Sequence, residues 1–311
     1  MSNEKIRDLL DRLKNDNSSG ASQLIKNILE IFNAQLDSIQ DDNKDISESI
    51  MELSKEIIES RPSMAPLINT IGYLIGGDLN SITRKKLSDK VKQFSIDNDK
   101  RNKALEGEFR KFIAKKYKQN YNIMLISYSS TIINLLMKLE DYDIEIYVME
   151  SRPLLEGQDT AEILSSKYNT HLFIDAAIGK FIDQMDLIMI GVDSILKDGS
   201  IINKIGSFPL AILAYERGID IYVVGDSFKY NLKSHYGTNI IIEAKPSKEV
   251  YNKQIPSKNL KIYNYYFDIT PPKYISGIIS DLGILSISQF LKEVKKILPI
   301  NWFQLFLNNS K

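Results

Sequence analysis

The chain has no cysteine among its 311 residues and only two histidines, His171 and His235. The first absence removes disulfides, thiolate catalysis and cysteine-based metal sites. The second leaves a two-histidine site as the one imidazole option, and the pair lacks any motif spacing, so no metal is expected. Charge of one sign is also missing, because 40 Lys+Arg balance 40 Asp+Glu. No overall field therefore draws in nucleic acid or an anionic membrane. No apolar run nears the roughly 18 residues that a membrane-spanning helix needs. The start Met1-Ser2-Asn3-Glu4-Lys5 has no apolar signal core, and the expectation is a soluble, cytoplasmic protein. Neither Gly-x-Gly-x-x-Gly nor Gly-x4-Gly-Lys-Ser/Thr occurs, so the ordinary dinucleotide and P-loop signatures are excluded and no cofactor is expected.

What is present divides the chain into two parts. The length favours two domains, and a 43% hydrophobic content suffices for a core. Up to about residue 118 the apolar residues have helical spacing: Ile6, Leu9, Leu10 and Leu13, then Leu24, Ile25, Ile28, Leu29 and Phe32. Further helical stretches span Ile46–Glu59 and run from Asp89 to about Lys118. From 119 to 311 short β-branched runs alternate with helical segments. The expected strands are Asn122–Ser127, Ile144–Met149, His171–Ile174, Leu187–Ile190, Ile219–Val224 and Ile240–Ile242. Near-continuous apolar strands separated by helices imply a parallel sheet covered on both faces. The fold class read from this is α/β, an N-terminal helical domain followed by a Rossmann-like, doubly wound sheet domain. In such folds ligands sit beyond the carboxyl ends of the strands.

Three loops there carry chemistry. Arginine is scarce, 8 of the 40 cationic residues, yet Glu-Ser-Arg-Pro occurs twice, at Glu59–Pro62 and Glu150–Pro153. A guanidinium clamps phosphate with a planar fork, and a following proline holds the arginine backbone extended. The second copy continues through Glu156-Gly157-Gln158-Asp159 into a helix, with Asp159 and Glu162 spaced as a capping box. Gly157 and Arg152 read equally as a phosphate cradle or as a structural loop. In the second loop, Asp193 follows the strand Leu187–Ile190, and Asn203 and Lys204 precede the next helix. This placement suits an anion contact, while for a lysine alone in so lysine-rich a chain a solvated surface role is the commoner one. The third, Phe267-Asp268-Ile269-Thr270-Pro271-Pro272, reads as a rigid corner with a bracing role.

Taken together, Ser-Arg-Pro-x-x-Glu-Gly-Gln-x-Thr-Ala at 151–161, Gly-x-Asp at 191–193 before Asn-Lys-Ile-Gly-Ser at 203–207, and Phe-Asp-x-Thr-Pro-Pro at 267–272 resemble one family. It comprises the regulatory alpha, beta and delta subunits of translation initiation factor 2B, their archaeal relatives, and sugar-phosphate aldose–ketose isomerases. The resemblance implies a helical domain joined to a Rossmann-like domain that forms a homodimer, with dimers able to pair further. It implies ligand contacts at Arg152, Gly157, Asp193, Asn203 and Lys204, with Arg61 joining them, although Pro62 stands where the enzymes usually have glycine. The ligand implied is a phosphorylated sugar or a nucleoside monophosphate, and a translation initiation factor is the implied protein partner. The isomerases, acting on ribose-1,5-bisphosphate or methylthioribose-1-phosphate, carry a cysteine after the first strand that works with the aspartate matched by Asp193. Here the string is Leu125-Ile126-Ser127-Tyr128-Ser129-Ser130. Ser127 replaces the cysteine, and a serine hydroxyl is far less acidic than a thiol. The expectation is a non-catalytic subunit-like protein with a retained pocket. The alternative is an isomerase using Asp193 and Ser127.

Overall fold

A computed structural model of the chain describes residues 2–16, 20–60, 64–76, 81–140, 142–238, 240–254, 256–298 and 300–309. Five helices come first: α1 (Ser2–Asn15), α2 (Ala21–Asp37), α3 (Ser47–Ser60), α4 (Ala65–Ile75) and α5 (Arg84–Lys116). The apolar stripe of α2 does what its spacing predicts, burying Leu24, Ile25, Ile28, Ile31 and Phe32. Helix α4 is apolar almost all round and is buried almost all round. Its Asn69 donates through Nδ2 to the carbonyls of Phe228 (2.6 Å) and Tyr230 (2.7 Å). At its start the Ala65 N–H donates to Ser194 Oγ at 3.1 Å. These bonds tie the helical part to loops of the sheet. Helix α5, 33 residues long and capped by Thr83, serves both parts. Leu87, Val91 and Phe94 pack in one core with the preceding helices, whereas Leu105, Phe109, Phe112 and Ile113 pack in another with sheet residues such as Ile123, Leu125 and Met189.

The second part runs β1 (Tyr121–Ile126), α6 (Ser130–Met137), β2 (Ile144–Met149), α7 (Glu156–Ser165), β3 (Asn169–Phe173), α8 (Ile178–Phe181), β4 (Leu187–Ile190), β5 (Ser194–Ile195), β6 (Ile201–Lys204), α9 (Ser207–Arg217), β7 (Ile221–Val224), α10 (Leu232–His235), β8 (Phe267–Thr270), β9 (Gly277–Ser280), β10 (Gly283–Leu285), α11 (Ile287–Ile297) and α12 (Asn301–Asn309). Seven strands form the main sheet in the order β10-β9-β7-β4-β1-β2-β3. All neighbours are parallel except β9 and β10. Strands β1, β2 and β4 are almost wholly buried, as covered parallel strands must be. The chain is thus α/β, with a helical region followed by a mostly parallel sheet.

The strand expectations need correction in both directions, and the corner expected at 267–272 begins as strand β8. Residues 240–242 form no strand. Ile241 is 76% exposed, and among the described residues no strand pairs with 240–242, the nearest pairing being the bridge Ala244–Tyr265, so its β-branched residues lack the neighbouring strand that would favour a pleated conformation. Conversely, Ile201–Lys204 is a strand, the centre of a small antiparallel sheet β5-β6-β8. No described helix is long and apolar enough to cross a membrane.

Candidate functional site

Strand β1 has β2 on one side and β4 on the other, so the chain's winding direction reverses between β1 and β4. Loops leaving such a pair diverge and open a crevice. A cleft of about 880 Å³ lies there, with Ser127–Thr131 after β1 and Gly191–Asp193 after β4 in its walls. The ends of α1 and α2 close it from the helical side through Asn15, Gly20 and Leu24.

Ser127 sits in the left-handed region, with φ 68°, a conformation costly for a residue with a Cβ. Three bonds hold it. Its N–H donates to Ser151 Oγ (2.7 Å), its carbonyl accepts from the Thr160 hydroxyl (2.9 Å), and its own hydroxyl donates to Glu156 Oε1 (2.9 Å). Ser151 and Leu155 are also left-handed, with φ 66° and 62°, so backbone strain concentrates around Glu156. Helix α7 begins at Glu156 itself, and its N-cap is Leu155 with no side-chain cap. The capping box expected from Asp159 and Glu162 is therefore not formed. The left-handed turn starts the helix a turn earlier, and both carboxylates line the cleft instead.

Lys204, on β6, is only 3% exposed. Its Nζ lies 2.6 Å from Glu156 Oε1 and 5.5 Å from the centre of the Tyr266 ring. The two form a buried ion pair, and Glu156 Oε2 is buried without a hydrogen-bond partner among the described residues. Asn203 donates to Ser207 Oγ at 2.9 Å. Asp193 donates its N–H to the Ile202 carbonyl at 2.9 Å. Burial pushes the Asp193 carboxyl above its ordinary pKa; the Lys229 charge opposes this, Glu156 reinforces it, and Lys204 opposes it. Asp268, on β8, accepts the N–H groups of Gly206 (2.8 Å) and Phe208 (3.1 Å) at the start of α9. Burial raises its pKa to about 6, partly offset by those two bonds. It braces the strand that carries Lys204.

The cleft walls thus bring together Ser127, Asp193, Asn203 and Lys204. Arg152 and Gly157 do not line the cleft. The Arg152 guanidinium is at the surface and donates to the Glu249 carbonyl at 3.3 Å, and its N–H donates to Asp175 Oδ2 at 2.7 Å. The Gly157 N–H is used by the Glu150 carbonyl at 3.2 Å. A Cβ on Gly157 would lie 1.8 Å from the Met149 carbonyl oxygen, so close approach of α7 to β2 demands glycine there. Arg61 lies outside the described residues. Sequence reasoning gave no role to Glu156 and did not single out Lys229, which also lines the cleft. Glu156 stood inside a quoted motif. Lys229 follows the carboxyl end of β7, and that position was the available signal.

A strained serine tied to a carboxylate, a buried lysine and an aspartate form a polar floor suited to binding oxygens. As a reaction centre it offers only carboxylates to receive the Ser127 proton. The chain can be set beside known proteins. A putative translation initiation factor eIF-2B subunit 2-like protein of Pyrococcus furiosus is 30% identical over 285 residues, covering 91% of this chain and 96% of that one. A ribose 1,5-bisphosphate isomerase of Archaeoglobus fulgidus is 25% identical over 289 residues, covering 91% and 90%. The solved structure of the Pyrococcus horikoshii OT3 translation initiation factor eIF-2B superposes with a TM-score of 0.76 at 26% identity, covering 91% and 97%. Residues 17–287 match the model of the Initiation factor 2 subunit family, and with that span and these relatives the chain belongs to that family.

Proposed function

We propose that the chain is a non-catalytic initiation factor 2B subunit-like protein that keeps a pocket for a phosphorylated sugar or a nucleoside monophosphate. The observation that carries this reading is the state of Ser127. It occupies the position of the isomerases' cysteine, and its hydroxyl is already committed as a donor to Glu156 at 2.9 Å. A carboxylate is too weak a base to ionise an alcohol near neutral pH, so this serine holds its proton and binds. The polar floor of the cleft, with a buried lysine and Asp193 at its edge, supports retention of a ligand. Assay of ribose-1,5-bisphosphate isomerisation tests the reading: no product is expected. Product formed at a rate that Asp193→Asn abolishes would overturn it.

One observation favours the isomerase reading. Asp193 shares the cleft wall with Glu156 and Ser127, burial raises its carboxyl and the Glu156 charge adds to the rise, and neighbouring carboxyl groups are of the kind that move a proton between adjacent sugar carbons. The same assay with Glu156→Gln decides, because that reading requires the rate to fall with this change as well. In the proposed role the chain is a cytoplasmic homodimer formed through the sheet domain, able to pair into larger assemblies and to meet a translation initiation factor. Light scattering at micromolar concentration is expected to give twice the chain mass, and a monomer would overturn the dimer.

A further inference from the structure

Between α10 and β8 the chain makes an excursion whose outer side carries unbalanced charge. Residues 238–266 hold five lysines, Lys245, Lys248, Lys253, Lys258 and Lys261, against two carboxylates, Glu243 and Glu249. Both carboxylates are spent inward. Glu243 pairs with Lys245 at 3.1 Å, and Glu249 accepts the Tyr266 hydroxyl and the Asn264 amide, each at 2.7 Å. The other four lysines are exposed, and among the described residues none of them has a carboxylate at ion-pair distance. The balance of 40 against 40 over the whole chain conceals this local excess.

The same excursion presents aromatic rings in a regular row. From 261 to 266 exposure alternates: Lys261, Tyr263 and Tyr265 face out, Ile262 is half-buried, and Asn264 and Tyr266 are buried. A period of two is that of an extended strand, and the bridge Ala244–Tyr265, with the Lys245 N–H donated to the Asn264 carbonyl at 2.9 Å, holds it. The antiparallel register sets Ala244 beside Tyr265 and Pro246 beside Tyr263, and both side chains are too short to cover a phenol ring. Tyr263 is 69% exposed and Tyr265 38%, and no described side chain stacks on or bonds to either. Two strand steps separate the rings by about 6.6 Å. The inward-facing Lys245 and Tyr266 belong to the cleft wall, whereas Lys261, Tyr263 and Tyr265 do not.

We propose that this outward row, Tyr263 and Tyr265 flanked by Lys261 and Lys248, is a docking strip for single-stranded RNA, the rings stacking on two successive unpaired bases and the lysines meeting the phosphates on either side. Stacking needs an open ring face and accepts any base, and phosphate charge supplies the attraction. A duplex keeps its bases stacked on one another, out of reach of the rings. A second copy of this chain would bring like-charged lysines together. An acidic peptide satisfies the lysines and leaves both rings without planar partners. Exposed Asn252, Gln254 and Asn259 on the same excursion supply donors and acceptors for the 2′-hydroxyl that distinguishes RNA from DNA. The strip is separate from the cleft and does not depend on a ligand there.

Fluorescence anisotropy of the full chain with a labelled oligouridylate of about 12 nucleotides tests this, beside oligothymidylate DNA of the same length and a polyglutamate peptide. The parent protein is expected to bind the RNA with a Kd of about 10⁻⁶ to 10⁻⁴ M at physiological salt, and more tightly than the other two probes. Tyr263→Ala and Tyr265→Ala should each weaken RNA binding about fivefold or more, and Tyr263→Phe should retain it. Lys248→Gln and Lys261→Gln should each reduce the salt slope by about 0.7. All four positions are exposed, so the melting midpoints should stay at the parent value. Absence of RNA binding in the parent, or undiminished binding when both tyrosines are replaced by alanine, overturns the proposal. DNA bound as tightly as RNA overturns the assignment to RNA, and polyglutamate bound as tightly gives the lysines to an acidic segment instead. Light scattering in which Tyr263→Asp turns a dimer into a monomer makes the strip an interface between copies, which overturns it as well. None of these outcomes bears on the cleft, so the pocket reading stands or falls by its own assay.

Discussion

Two polar clusters lie at the carboxyl ends of the same parallel sheet, and they treat buried charge differently. In the cleft, between β1 and β4, Glu156 and Lys204 form a buried ion pair at 2.6 Å and leave Glu156 Oε2 without a hydrogen-bond partner. Further along the sheet, after β7 and β9, Asp281 accepts both the N–H (2.7 Å) and the hydroxyl (2.8 Å) of Ser227. Asp226 caps the following turn by accepting the Phe228 N–H at 3.0 Å. Arg101 from α5 lies across them, its guanidinium 3.8 Å from the centre of the Phe228 ring. Burial lowers the Arg101 pKa, and the charges of Asp226 and Asp281 offset this. None of these three charged residues lines the cleft. In the junction cluster the carboxylates bond the chain itself, while Arg101 Nε is buried without a hydrogen-bond partner and the Arg101 charge is offset by Asp226 and Asp281. The other belongs to residues in the wall of the cleft.

The largest expected effect breaks the cleft cluster alone. Gly157→Ala forces a methyl group onto the Met149 carbonyl oxygen, with a built contact of 1.8 Å, and the second-nearest atom is also backbone. No side chain can swing away, so α7 must shift from β2 and carry Glu156 off both Ser127 and Lys204. A loss of about 3 kcal/mol or more in stability is expected, read as the urea midpoint at unchanged slope. A loss below about 0.5 kcal/mol would show that the approach of α7 to β2 is looser than described.

The next effect sharpens the junction half of the comparison. Burial raises the Asp281 carboxyl to about 6, with the Asp226 charge adding to the rise. The unfolded chain gives up this proton near the ordinary carboxyl value of about 4. Between those values the folded state binds more protons than the unfolded one, so stability falls as pH rises through the window from about 4 to about 6. The contribution of Asp281 is on the order of 2–3 kcal/mol. Asp281→Asn should remove that share of the fall and leave the shares of Asp268 and Asp193, whose carboxyls are raised in the same direction. Denaturant titrations at pH 4.5 and 6.5 read the difference, and an unchanged slope in the variant would mean that Asp281 ionises freely.

How far all this could be read from residue order depends on which interactions are local. Helical spacing in α2 and the apolar runs of β2 and β4 are local, and they appear where expected, β2 and β4 to the residue. The meeting of Asp193 and Lys204 in one cleft wall was legible because a strand's end and the start of a helix fix their neighbourhood. The roles of Arg152 and Gly157 were not. Whether a glycine spares its N–H for a ligand depends on a carbonyl seven residues upstream, and whether an arginine enters a cleft depends on Glu249, nearly a hundred residues downstream. The same holds for β6, whose two partners come from residues 194–195 and 267–270. A four-residue strand paired that way leaves no periodic trace.

The smallest effect separates strain from bonding at Ser127. Both Ser127→Ala and Ser127→Gly remove the hydroxyl that Glu156 accepts, so that loss is common to the two variants. They differ in backbone. At φ 68° alanine keeps a left-handed penalty of about 1–2 kcal/mol that glycine escapes. Glycine in turn gives back about 0.4–1 kcal/mol through the freedom of the unfolded chain. The glycine variant should therefore be more stable by about 0.5–1 kcal/mol, the reverse of the order found at an ordinary helical or extended position. Alanine equal to or better than glycine would mean that Ser127 is not held left-handed, and the geometry that aims its hydroxyl at Glu156 would have to be redrawn.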